Sequence, residues 1–171
     1  MLELSIRLCN SDIDNIVITE ALPKNYKYKI LEQELKIRNY AMVTNFDEVS
    51  CHRGIVIYAR DYLSMDHIKC TVSYQEGILV SIKQGHYVLL HILAIYRSPN
   101  SNMGNNNSLL ELMDEVCSND SYSNLCILGD FILKKIDWLT LSTVGTGQDS
   151  YEQDMISCML NNFLCQLCLE P

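Results

Sequence analysis

Glu20, Tyr96, Arg97 and Asp130 have the types and positions to do chemistry together. Each comes just after a run of apolar residues: Glu20 after NIVIT, Tyr96 and Arg97 after YVLLHILAI, and Asp130 after LCILG. Glu and Asp supply hard oxygen ligands of the kind Mg²⁺ prefers. The planar fork of Arg matches phosphate, and a Tyr hydroxyl can donate to a phosphoryl oxygen. Such a set suits metal-assisted hydrolysis of a phosphodiester. Carboxylates at strand ends equally serve as turn formers or helix caps, and residue types alone leave both readings open.

Positioning these side chains requires buried strands. Asn15 to Thr19, Ile55 to Ala59, Tyr87 to Ile95 and Asn124 to Leu128 are short apolar runs rich in β-branched residues, and each predicts a buried strand. The run 87–95 is apolar at both alternating positions, which predicts cover on both faces. Residues 68–73 and 77–83 read as a strand pair with a turn near Gln75, Glu76 and Gly77. The segment SPNSNMGNNNS, 98–108, reads as a loop. Ser108 then caps a helix from about Leu109 to Cys117, with Glu111 completing the cap. Residues 139–149 read as a polar loop, and apolar positions at 155, 156, 159, 160, 163 and 164 predict a helix over 150–164. Residues 2–11 fit the end of a helix, Pro23 marks a loop, and 26–37 is ambiguous. Strands separated by helices, several of them buried on both faces, predict an α/β layered fold. A buried strand fixes the direction of the first residue that leaves it, so residues from distant strand ends can meet at one rim.

The chain has 171 residues, fitting one domain over 1–171. With 48% hydrophobic and 20% charged residues it can bury a core. The net charge of −8 argues against general duplex-DNA binding by charge alone, since that affinity comes from cations on phosphates. No run approaches the length of a membrane span, and no signal peptide is evident. Eight cysteines, most of them inside apolar runs, read as reduced, core-filling thiols of an intracellular protein. Cys165 and Cys168 form a CxxC, but a zinc site needs a second pair and the sequence has none. Trp138 reads as a packing residue, Lys134 and Lys135 as surface, His91 as a core or sheet residue and His52 as surface.

The order of the motifs adds a resemblance. DIDNIVITEALP, RGIVIYARD, LAIYRSPNS, LCILGDFILKKIDW and FLCQLCLEP cover most of the chain. In that order they resemble segments of the endonuclease domain of non-LTR (LINE-like) retrotransposons, in the endonuclease/exonuclease/phosphatase superfamily. YRSPNS together with GDF and the following Trp carries most of the specificity. The resemblance implies a partial four-layered α/β sandwich, two mixed sheets flanked by helices, with a Mg²⁺- or Mn²⁺-dependent phosphodiesterase site at one rim. It implies that Glu20 binds the metal, Tyr96 contacts the scissile phosphate and Asp130 orients or protonates during attack by water. Arg97 and Asn100 are the phosphate-binding candidates of the same segment. Implied partners are DNA and, in a longer polyprotein, a reverse transcriptase domain primed by the nicked 3′ end. Cytoplasm or nucleus is the implied compartment, with no membrane.

The sequence departs from the family at three places. The Asn two residues after the Asp of the G-D-F-N segment is Ile132 here, which can neither donate nor accept. The Ser-Asp-His segment is absent, and so is the first strand with its Asn; the resemblance therefore implies a sandwich short of its first and its C-terminal strands. Two readings within the family follow, an active endonuclease and a catalytically inactive remnant, and the departures favour the remnant. A third reading is a phosphoesterase of the same superfamily acting on a phospholipid or inositol phosphate; YRSPNS argues against it.

Overall fold

The most deeply buried strand of the first sheet is β3 (Val56–Arg60), in which Ile57, Tyr58 and Ala59 are completely inaccessible. In the computed structural model, which describes residues 8, 11–22, 32–46, 53–145 and 150–167, the chain divides into two compact units. The first comprises Met1–Lys69, Gln75–Tyr96 and Ser123–Asp130; the second comprises Cys70–Tyr74, Arg97–Tyr122 and Phe131–Pro171. The expectations for residues 2–7, Pro23, His52 and Cys168 lie outside the described residues. Among the described residues no helix is long and apolar enough to cross a membrane.

In the first unit β3 is flanked on either side by β1 (Asn15–Ile18) and β2 (Tyr40–Thr44), both antiparallel to it. The second sheet runs β4 (Ser64–Ile68), β5 (Gly77–Gln84), β6 (Tyr87–Tyr96), β7 (Leu125–Asp130). Its first two pairings are antiparallel and β6 pairs β7 in parallel, so this sheet is mixed while the three-stranded one is antiparallel throughout. The edge strands of one sheet meet those of the other, β1 against β7 and β2 against β4, as two stacked sheets require. The α/β class expected from the sequence is the one observed, but the expectation that both sheets are mixed is corrected: the three-stranded sheet has antiparallel pairs only.

Alternation in β3 sorts its side chains between two faces. Val56 and Tyr58 face Leu8, Ile37 and Leu35, the last residue of the short helix α1 (Glu32–Leu35). Ile16, Ile18, Tyr40 and Met42 close this cluster. The Tyr58 hydroxyl donates to the Leu35 carbonyl at 2.7 Å, and burial pushes its pKa up to about 12, so it stays a donor. Entry into β1 is clamped as well. The Arg60 guanidinium donates to the carbonyls of Ile13 and Ser11 and stacks on Tyr40 at 4.6 Å.

The second unit holds helices α2 (Met103–Cys117) and α3 (Tyr151–Asn161), with α3 against α2, and a small hairpin of β8 (Ile136–Asp137) and β9 (Ser142–Thr143). Three local expectations are corrected. Helix α2 begins at Met103 rather than near Leu109, because Asn102 caps it: its side chain accepts from the Asn105 N–H at 2.9 Å. Residues 70–73 do not continue a strand. The backbone N–H groups of Thr71 and Val72 both donate to the Glu115 carboxylate of α2 at 2.7 Å, a stronger acceptor than a carbonyl. Finally, β6 is covered on both faces only from His91 onward; Tyr87, Val88 and Leu89 are exposed.

His91 sits mid-strand in β6, opposite Ser81 and Leu125. Burial, and then the positive charge of Lys83, lowers its pKa below the ordinary 6.5. Above that pH the imidazole is neutral in folded and unfolded chains alike. Below it the unfolded chain binds the proton more readily, so stability falls as pH drops. Urea midpoints should therefore decrease from pH 7.5 to pH 5.5, and the decrease should be smaller in His91→Leu.

Candidate functional site

Strand β1 ends at Ile18, and two residues later Glu20 adopts a left-handed backbone with φ of 52°. For a residue with a long side chain this conformation is strained and needs support from its surroundings. The support comes from the segment that leads into β3. The Ala21 N–H donates to the Gly54 carbonyl at 3.1 Å and the Leu22 N–H to the Arg53 carbonyl at 2.7 Å. This pairing sets Arg53 across from Glu20. Gly54, at φ 69°, faces the Phe46 ring so closely that no side chain would fit there.

The other two expected residues are the last residues of β6 and β7. Tyr96 and Asp130 are partners in the parallel register, and the close approach of these strands depends on Gly129. Its φ is 151°, and a Cβ added there would lie 1.7 Å from the Ile95 carbonyl oxygen. Asn45, at the end of β2, ties the same rim together. Its Oδ1 accepts from the Ile55 N–H at 2.7 Å, and its Nδ2 donates to the Gln75 carbonyl at 3.1 Å. The Tyr96 N–H in turn donates to the Glu76 carbonyl at 2.8 Å. One end of both sheets thus carries Glu20, Arg53, Glu76, Tyr96 and Asp130.

Glu20 is the focus of this group. Its Oε1 accepts a hydrogen bond from the Tyr96 hydroxyl and forms an ion pair with the Arg53 guanidinium. Tyr96 is 5% exposed. Burial raises its pKa; the charge of Arg53 opposes this, and Glu76 and Asp130 add to it. The phenol therefore stays protonated and acts as a donor. The Arg53 and Glu20 side chains remain about a third exposed, at 34% and 35%, so solvent reaches the pair. A concave surface of about 390 Å³ along β2, lined by Lys36, Ile37, Tyr40, Ala41, Met42 and Thr44, contains none of these residues.

Arg97 and Asn100 belong to the second unit. Arg97 is 8% exposed, and its guanidinium is already engaged. Nε donates to Asn106 Oδ1 at 3.0 Å, Nη1 donates to the Phe131 carbonyl at 3.3 Å, and the group stacks on the Tyr151 ring at 4.7 Å. Asn100 is exposed in the turn that follows. Sequence reasoning missed Arg53, Asn45 and Glu76. Only the position of Arg53, just before a glycine that opens a buried strand, sets it apart in the sequence.

Magnesium takes oxygen ligands in near-octahedral array, often one or two carboxylates completed by water and phosphate. Among the described residues no three His, Cys, Asp or Glu side chains come together as a metal-ligating group. Glu20 Oε1, the atom best placed to serve as a ligand, already carries a guanidinium and a phenol. In this arrangement the donor set does not fit a resident divalent cation. No protein-family model matches the chain, and no curated protein matches it.

Substituting Gly129 by Ala should destabilise the protein by about 4 kcal/mol or more, since a Cβ would collide with the backbone of the adjacent strand. Urea unfolding of the variant against the parent measures this.

Proposed function

We propose that this chain is a remnant of the endonuclease domain of a non-LTR retrotransposon, a phosphodiesterase scaffold that no longer cuts DNA. The observation that carries the reading is the convergence of Glu20, Tyr96 and Asp130 from three strand ends on one rim. They come in the order and sequence context of that family. In the ancestor a Mg²⁺-dependent nick in target DNA would supply a 3′ end for reverse transcription. DNA and a reverse transcriptase domain are accordingly the ancestral partners, and cytoplasm or nucleus the compartment.

The backbone at Ile132 supports both halves of the proposal. Ile132 has φ of 47°, a left-handed conformation in which Asn is enriched and a β-branched residue is an outlier. This is the position at which the family pattern has Asn. The backbone there suits the amide residue, while the side chain now present cannot hold a phosphate oxygen or a water. Loss of one such donor in a nuclease lowers the rate by about 10²–10³.

Two measurements follow. Incubated with supercoiled plasmid and Mg²⁺ or Mn²⁺, the chain should leave the plasmid intact, as should Glu20→Ala; nicking by the parent that disappears in Glu20→Ala would overturn the remnant reading. Ile132→Asn should raise stability by about 1 kcal/mol through relief of left-handed strain, read as a higher urea midpoint with unchanged slope.

A further inference from the structure

The Glu20 carboxylate is held by two donors from separate parts of the first unit, the Tyr96 phenol at the end of β6 and the Arg53 guanidinium before β3. Both act on the same oxygen, Oε1. The Arg53 backbone is fixed in turn, because its carbonyl accepts from Leu22 and the next residue, Gly54, packs on Phe46. Arg53 Nε is buried and has no hydrogen-bond partner among the described residues. A guanidinium leaves a donor unsatisfied in this way when its position is dictated by something other than its own hydrogen bonding. Here the dictating contact is the pairing with Glu20. The charges of Glu76 and Asp130, like that of Arg53, are felt at Tyr96, so the rim holds carboxylates besides Glu20.

We propose that Arg53 is a built-in cation that takes the place of a divalent metal on Glu20, so that the rim is closed to Mg²⁺ and Mn²⁺ until the guanidinium is removed. This inference rests on the reading of the rim as a former phosphodiesterase site. A tethered guanidinium meets the carboxylate as an intramolecular partner and need not be recruited from solution. Unlike a metal, it cannot polarise a phosphoryl oxygen as a Lewis acid or lower the pKa of a bound water. A cation approaching Glu20 also meets the repulsion of a fixed positive charge.

The test is calorimetric titration of the full chain with MnCl₂, with thermal melts confirming that each variant is folded. The parent should show no binding that depends on Glu20, and Arg53→Met should bind Mn²⁺ at least about tenfold more tightly. Arg53→Lys should resemble the parent, because it retains the charge, and the double substitution Arg53→Met with Glu20→Gln should lose the gain. Tight binding by the parent that Glu20→Gln abolishes overturns the proposal and requires no substitution at Arg53. Equal affinity of Arg53→Met and the parent, or a gain that survives Glu20→Gln, overturns it as well. These outcomes are independent of the plasmid assay. A parent that binds Mn²⁺ through Glu20 without nicking sinks the role of Arg53 and leaves the remnant reading standing, whereas Glu20-dependent nicking sinks the remnant reading itself.

Discussion

Strand β7 can lie in parallel register with β6 because position 129 has no side chain. The Ile95 carbonyl occupies the space a Cβ would need, so the parallel pairing and the glycine require each other. From that pairing follow the position of Asp130 beside Tyr96 and the burial of the second half of β6. Tyr96, at the end of the same strand, then reaches Glu20 from the other sheet. The rim is thus a consequence of strand geometry. Each polar residue is the end of an element whose path was settled by burying its apolar residues.

This logic explains what could be read from the sequence. An uninterrupted apolar run marked β1, β3, β6 and β7 as strands, along with the polar residues that terminate them, but full burial holds only for β3 and the second half of β6; β1 is half-buried and β7 is half-buried to exposed. Strand β2 was not marked in this way, since YAMVT is only five residues long and mixes Ala and Met with β-branched residues, although the left-handed Asn39 turns the chain into it. The first turns of α2 were hidden by composition. Gly104, Asn105, Asn106 and Asn107 are poor helix formers, yet the Asn102 cap and the bond from Arg97 to Asn106 stabilise them in helix, a tertiary override of local propensity. Arg53 was invisible for a different reason. Its role depends on which segment lies across from Glu20, and that is a property of the antiparallel register, where Leu22 and Ala21 meet Arg53 and Gly54.

The two arginines of interest illustrate how charge is assigned by neighbours more than by motif. Arg97, beside Tyr96 in sequence, was the phosphate-binding candidate, yet its hydrogen bonds go to Asn106 and Phe131 and its face to Tyr151. That guanidinium acts as a planar packing element, a use for which Lys would be a poor substitute. Arg53, with no motif to recommend it, carries the charge that meets Glu20. In an acidic chain with a net charge of −8, one cation placed among carboxylates has a disproportionate effect on what else can bind there.

Glu20 and Ile132 both adopt a left-handed backbone. A non-glycine residue in this region is destabilised, and it persists only where the rest of the structure over-determines its conformation. At Glu20 the over-determination is visible, in the hydrogen bonds of Ala21 and Leu22 and the two donors on the carboxylate. At Ile132 a β-branched side chain fits the left-handed conformation poorly. Backbone geometry is set by many residues and changes slowly, while one side chain can change at once. A strained position occupied by an ill-suited residue accords with the remnant proposal, in which the side chain at 132 has changed while the backbone has kept its course.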